Sequence, residues 1–286
     1  MAALNARVAL ATLVATALCG CVALQPVRES AGESPQTAED ALVRIAACWS
    51  GTPLAEDLSA ALAAAHPGLA VDVARGDSPA PDDLLADGQA DLAIVALPAE
   101  GALLPDPPDA WAEYHPTLLA IDALGVFVHV GSPLRDLSTA QLARLYGGYV
   151  LDWSALAAGS GQPAWVSVQA GSASRALFEE RILGGEAPSS ATLLVPSDRA
   201  AVAYVAEHPL ALAFGSVAAL EEGVALVALD GVLPTARNVA RGDYPHTWAL
   251  YALLAPQAPA QAEQWLAYAQ SDAGREVISQ RYALPR

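Results

Sequence analysis

The chain has 286 residues, of which 54% are hydrophobic and 16% charged, and a formal net charge of −17; that length holds about two domains, and the apolar content excludes general disorder. Its fourteen cationic side chains are all Arg, since Lys is absent, which excludes Schiff-base enzymes, P-loop nucleotide binders and Ser-Lys hydrolases, all of which need a lysine. The acidic balance, with no basic stripe, argues against nucleic acid, whose affinity comes from cations on phosphates; an anionic ligand would be held by local donors against the overall field.

Arg7 is the one charge in the first twenty residues, and the apolar run from Val8 to Leu18 follows it. That run is too short to span a bilayer and has the length of a secretory signal core. It ends in Leu18-Cys19-Gly20-Cys21, which resembles the lipobox of bacterial lipoproteins. The resemblance implies a signal peptide over residues 1–20, lipidation of Cys21, and a protein held by lipid at the extracytoplasmic face of the cell membrane. Cys48 is then the remaining thiol, no internal disulfide is possible, and its place in the apolar run Val43 to Cys48 predicts a buried strand residue. Residues 21–41, rich in Ser, Pro, Glu and Gln without periodicity, read as a flexible tether.

The folded part begins with a strand at 43–48 and a helix capped by Thr52 with Pro53 at its first position. Leu54, Leu58 and Leu62 repeat at helical spacing before His66-Pro67-Gly68. Strands are expected at 69–73 and 91–97, with a short helix at 81–86 between them, and a Pro-rich loop over 98–115. Residues 117–121 and 125–130 read as a strand pair or one long bent strand. Ser138 and Gln141 form a capping box for a helix stopped by Gly147-Gly148. Further strands fall at 165–168, near Leu193, and at 210–214, 224–229 and 248–254; helices fall at 198–207 and from 259 to 281. Strands alternating with helices, and lacking polar alternation, predict a largely parallel α/β sheet covered on both faces.

One turn stands out. Gly171-Ser172-Ala173-Ser174-Arg175 lies between the strand ending at Val168 and a helix carrying Leu177, Phe178 and Ile182. A strand-to-helix turn presents unpaired N–H groups, two hydroxyls and the positive end of the helix dipole, which suit an anion or a polar oxygen; a Ser there also serves as an ordinary cap. The five His residues form no helical metal pair and no Cys pair offers zinc. Ser160 lacks the Gly two positions earlier that a nucleophile elbow needs. No nucleophile, base, metal or cofactor set stands out, so a non-enzymatic protein is expected.

Several runs together resemble the phosphate-binding proteins of ABC transporters. Leu137 to Gly148 with Asp152-Trp153 resembles their "LS-x-x-QL-x-x-IF-x-G … NW"; Gly171 to Arg175, followed by Phe178-Glu179-Glu180, resembles their "GSGTR" loop; Asp198 to Phe214, Leu229 to Thr235 with Gly242 to Pro245, and Ser271 to Arg275 follow in the family's order. The similarity covers most of residues 42–285. It implies a two-lobed type II periplasmic-binding-protein fold with a hinge and an inter-lobe cleft. Lobe 1 would comprise 42–124 and 224–286 and lobe 2 would comprise 125–223, with crossings near Asp122 to Gly125 and Gly223 to Asp230. It also implies ABC permease subunits as partners.

By the same resemblance the ligand contacts are Ser50, Thr52, Ser78, Gly171, Ser172, Ala173, Ser174 and Arg175. Three positions depart from the pattern. Val168 stands where the family has Arg, Ala170 where it often has Asp, and Ala96 where an Asp accepts a hydrogen bond from a protonated phosphate oxygen; Ala173 also replaces the loop's middle Gly. Each charged hydrogen bond is worth about 1.5–3 kcal/mol, so losing two weakens phosphate by roughly two to four orders of magnitude. The side chain of Arg175 is expected on the surface or in an inter-helix salt bridge. The implied function is binding of a small oxyanion, phosphate first, for an ABC importer. The alternative is a divergent member that binds a different or neutral polar solute, or senses without transport.

Overall fold

The computed structural model describes residues 42–76, 80–100, 103–149 and 163–286; the signal segment, the tether, Cys21, Ser78, Asp152-Trp153 and Ser160 lie outside them. The chain order is β1 (Leu42–Ala47), α1 (Thr52–Ala65), β2 (Ala70–Arg75), α2 (Pro81–Ala86), β3 (Leu92–Glu100), β4 (Thr117–His129), β5 (Asp136–Leu137) and α3 (Thr139–Tyr146). It continues with β6 (Ala164–Val168), α4 (Ala173–Arg181), β7 (Leu193–Val195), α5 (Asp198–Glu207), β8 (Ala211–Ser216), β9 (Val224–Leu229), α6 (Ala236–Arg241), β10 (His246–Leu254), α7 (Ala260–Gln270) and α8 (Asp272–Ser279).

Most of these follow from pattern. α1 buries Leu54, Leu58 and Leu62 on one face and takes Pro in its first turn, but its cap is Gly51. Thr52 is already helical, and its hydroxyl turns back to donate to the Cys48 carbonyl at 3.0 Å instead of capping. The capping box of Ser138 and Gln141 opens α3. The expected loop over 98–115 is shorter than predicted: β3 runs on to Glu100, and Asp109–Tyr114 forms a 3₁₀ turn. α6 was not expected from periodicity, being too short to show any; its signal is local, a Thr235 cap and a left-handed Gly242 at its end.

The sheet runs β2-β1-β3-β10-β4-β8-β6-β7, with β9 against β4 and β5. It is parallel at its flanks, where β1 pairs β2 and β3 and where β6 pairs β7 and β8. The centre is antiparallel, against the largely parallel expectation, because β10 returns from the C-terminal part of the chain and inserts between β3 and β4. β4 is one strand, not two. Its first half pairs β10, with Ala123 as the last partner, and its second half pairs β8 from Leu124 and β9 from Val126. β9, expected to begin the return to the first lobe, therefore packs on the second half of β4.

One core runs along the sheet, and on the first half a smaller cluster around Leu85, Val95, Tyr251 and Leu253 covers the opposite face. In the second half Phe178 of α4 stacks on Phe214 of β8 with ring centroids 3.6 Å apart, and Tyr146 of α3 meets both rings edge-on. The Tyr146 hydroxyl donates to the carbonyls of Val166 and Leu212, satisfying the polar tip of a buried ring.

Candidate functional site

The turn before α4 is built from both ends. Gln169 N–H donates to the Val195 carbonyl at 2.9 Å, extending the β6 to β7 pairing by one bond. Gly171 then takes φ of 103°, and among the described residues nothing lies within 4 Å of where a Cβ would stand; the backbone conformation, not crowding, calls for glycine. Ser172 is the cap, its Oγ accepting from Arg175 N–H at 3.2 Å.

Arg175 faces neither the surface nor another helix. Its Nε donates to Glu179 Oε1 at 2.8 Å in the same helix, and Nη1 donates to the Val168 carbonyl and to Ser167 Oγ, both at 2.8 Å. A buried guanidinium needs such partners. Here they fasten the first turns of α4 to the end of β6.

Behind the turn lies a buried polar chain. Ser172 Oγ and Ser174 Oγ are 3.3 Å apart, and Ser174 Oγ donates to Asp198 Oδ1 at 2.6 Å. Asp198 also accepts from the backbone N–H of Ser216, whose hydroxyl donates to Asp122 Oδ2 at 2.5 Å. Asp122 Oδ1 accepts from Ala123 N–H at 2.7 Å. Burial pushes the Asp122 carboxyl up to about 8, helped by the charge of Asp198, and pushes Asp198 up to about 6. The chain thus links the helix terminus to the residue where β4 passes from one half-sheet to the other. Gly215 leaves room for it: a Cβ there would sit 2.7 Å from Asp198 Oδ1. Gly215→Ala is expected to cost about 1–3 kcal/mol, as overpacking does, read as a lower midpoint in urea.

Two cavities flank Gly171 and Ser172, sharing both residues. One, of about 230 Å³, is polar and is lined by Trp49, Arg75, Gly76, Gln169, Ala170 and Pro196 besides. The other, of about 330 Å³, is walled by Cys48, Val95, Ala96, Leu97, Ala173, Ala176, Leu177 and Trp248, with Trp111 and Asp82 also lining it. Among the described residues no cation lines this second cavity. A third, of about 160 Å³, lies against Thr52, Glu56, Arg75, Asp198 and Ser216.

The sequence-predicted contacts are therefore dispersed. Gly171, Ser172 and Ala173 come together at the cavity walls. Ser174 is buried on Asp198 and Arg175 on β6. Ser50 is buried with its carbonyl accepting from Tyr282 Oη and its hydroxyl 3.5 Å from the Cys48 thiol, while Thr52 reaches the third cavity. Ser78 lies outside the described residues. Sequence reasoning passed over Arg75, Gln169, Trp248, Asp198 and Asp122. Only Asp122 carried a signal, a single acid in the otherwise apolar run from Leu118 to Val128.

An α/β sheet in two halves, strung on one long central strand and hollowed at the junction against a helix N-terminus, is the type II periplasmic-binding fold. The chain belongs to the PBP superfamily, whose domain matches residues 30–273. The curated relative PstS of Bacillus subtilis (strain 168), a phosphate-binding protein, is 25% identical over 170 residues, 58% of this chain and 56% of that one; the match thus spans little more than half the relative's length. Among solved structures, a proposed phosphate ABC transporter substrate-binding protein of Clostridium perfringens with bound phosphate superposes with a TM-score of 0.73 at 19% identity, over 86% of this chain and 99% of its own. An ABC-type phosphate transport receptor from Vibrio cholerae gives 0.62 at 23% identity, over 85% and 100%. At those identities the structural likeness speaks for the fold.

Proposed function

We propose that the protein is a non-enzymatic, extracytoplasmic solute-binding protein of a phosphate-type ABC importer, anchored by lipid on Cys21 and delivering its ligand to permease subunits. Its lobes are residues 42–124 with the C-terminal part, and 125–223 extended by β9. Hinge closure between them is the working motion. The ligand sits between the lobes against the N-terminus of α4 and is not bare phosphate. One observation supports that reading: Ala96 lines the cavity beside Ser172, and Val168 is wholly buried in β6, so neither position offers the charged group of the family pattern. The divergent-solute reading is thereby favoured over the phosphate reading.

A second reading rests on Arg75. Its guanidinium lines the polar cavity on the other side of Ser172, where an oxyanion would find one cation, the helix terminus and Gln169. Arg75 Nη2 is already paired with Glu56 Oε1 at 2.6 Å, and more than half of its side chain is exposed, so its contribution is discounted for solvent. Calorimetric titration with phosphate, sulfate and molybdate decides between the two. Under the second reading Arg75→Gln weakens the oxyanion about tenfold, and an unchanged titration removes it. Flat traces for every oxyanion, with an organic solute bound, are the result expected under the first.

A further inference from the structure

The segment after α8 is tied to both halves of the sheet. Three consecutive residues bond to different places. Ala283 and Ile121 of β4 exchange both backbone bonds, at 2.8 and 3.0 Å, and the Tyr282 hydroxyl donates to the Ser50 carbonyl at 2.8 Å; these two ties stay within the first half. Arg281 is the one that crosses. Its Nε donates to Asp57 Oδ2 of α1 at 2.7 Å, and its Nη1 donates to the Ala218 carbonyl at 3.1 Å. Ala218 belongs to a 3₁₀ turn, Val217–Ala219, that follows β8 in the second half.

That turn stands where the halves join. Ser216, its cap, pairs with Leu124, the first residue of β4 to face β8 after Ala123 has faced β10. The Ala218 N–H donates to Ser216 Oγ at 3.1 Å, and Ser216 Oγ donates to Asp122. The Asp122 bond joins strands that are already paired, so it turns with them. Arg281 instead ties the turn to a helix of the other half.

Ala218 is 2% exposed, and a buried carbonyl that loses its partner is costly until water reaches it. A guanidinium offers several donors in one fixed fork, so it holds the carboxylate and the carbonyl at once. A lysine in its place is a point charge whose stronger partner is the Asp57 carboxylate. The carbonyl is then left to solvent, which gains access as the halves part.

We propose that Arg281 is a clasp across the hinge, holding Val217–Ala219 of the second half on α1 of the first and so favouring the relation of the halves seen here. This clasp rests on the reading that the halves move about a hinge, and it is a side chain that restrains that motion.

The distance between two spin labels tests it. The labels are attached to keto amino acids at Asp72 and Leu194, exposed positions on the edge strands β2 and β7, which leaves the cysteines untouched. The labelled full chain is expected to show a major and a minor distance. Arg281→Lys is expected to raise the ratio of minor to major about tenfold, the worth of one hydrogen bond to a charged group. Arg281→Met, which has no donor, is expected to match it and serves should the lysine variant misfold. Tyr282→Phe removes a tie inside the first half, and is expected to lower the melting temperature while leaving the ratio unchanged. Equal ratios in the parent and both Arg281 variants overturn the clasp and leave the hinge standing. A single narrow distance in all four proteins overturns hinge and clasp together. A ratio that rises as far in Tyr282→Phe as in Arg281→Lys reports general loosening and removes the clasp.

Discussion

Phe178→Ala is expected to lower the unfolding free energy by about 3–5 kcal/mol, the range for emptying a buried aromatic site. The ring is fully buried, stacked on Phe214 and met edge-on by Tyr146, so neighbours on two other elements lose contact at once and neither is free to fill the space. In a chain of this size that loss moves the melting temperature by roughly ten degrees. Phe178→Leu keeps most of the volume and is expected to cost far less. The aromatic contact also fixes the site. Phe178 and the Arg175 bonds to β6 are what hold the first turn of α4 against the cavities, so ligand affinity is expected to fall with stability in the Ala variant and to survive in the Leu variant. Urea denaturation of the three proteins checks the first claim, and a loss below about 1 kcal/mol would remove the idea of a keystone at this position.

Stability is expected to fall as pH rises from about 4 to about 8, by the linkage between protons and folding. In the folded chain the carboxyls of Asp122 and Asp198 are raised, by burial first, to about 8 and about 6, whereas an unfolded Asp titrates near 3.9. Between those values the native state binds more protons than the unfolded one. The stability these two groups contribute is therefore complete below the unfolded value, is lost first as Asp198 ionises and then as Asp122 does, and changes no further above about 8. The loss is on the order of a few kcal/mol. Growing negative charge on an acidic protein pushes the same way, so the test needs Asp122→Asn, which keeps an oxygen for Ala123 N–H and cannot ionise. Its urea midpoint is expected to depend less on pH than the parent's and to match or exceed it at pH 8. Parallel pH profiles for parent and variant would refute the assignment of the slope to this carboxyl.

Much of the fold was legible because it rests on pattern. The leucines of α1, the capping box of α3 and the apolar strands speak through spacing that any context leaves intact. Sheet order was less so: nothing local in His246–Leu254 says that this strand lies antiparallel between β3 and β4, since an apolar run buried on both faces looks the same in either direction. At the site, the loop at Gly171 was visible as a strand-to-helix turn with family likeness. Its companions were not. Asp198 stands in the first turn of α5, where an acid ordinarily complements the helix dipole in water, and only the fold reveals that it is buried between Ser174 and Ser216. Arg75 and Trp248 read as a strand end and a core aromatic, and only the fold brings them to the cavities beside Ser172. Arg175 shows the converse: a family position foretold an anion contact or a surface charge, and packing turned it into a strut.

Because β10 is threaded between β3 and the first half of β4, the first half-sheet is not complete until the last part of the chain has been made. A nascent chain that has reached β9 holds β3 and β4 with open edges facing each other, and each is a template for pairing with a foreign strand. Only when residues 246–254 arrive are both edges sealed. The first half-sheet is for that reason the last part of the sheet to close, and a chain cut before residue 246 leaves those two edges open.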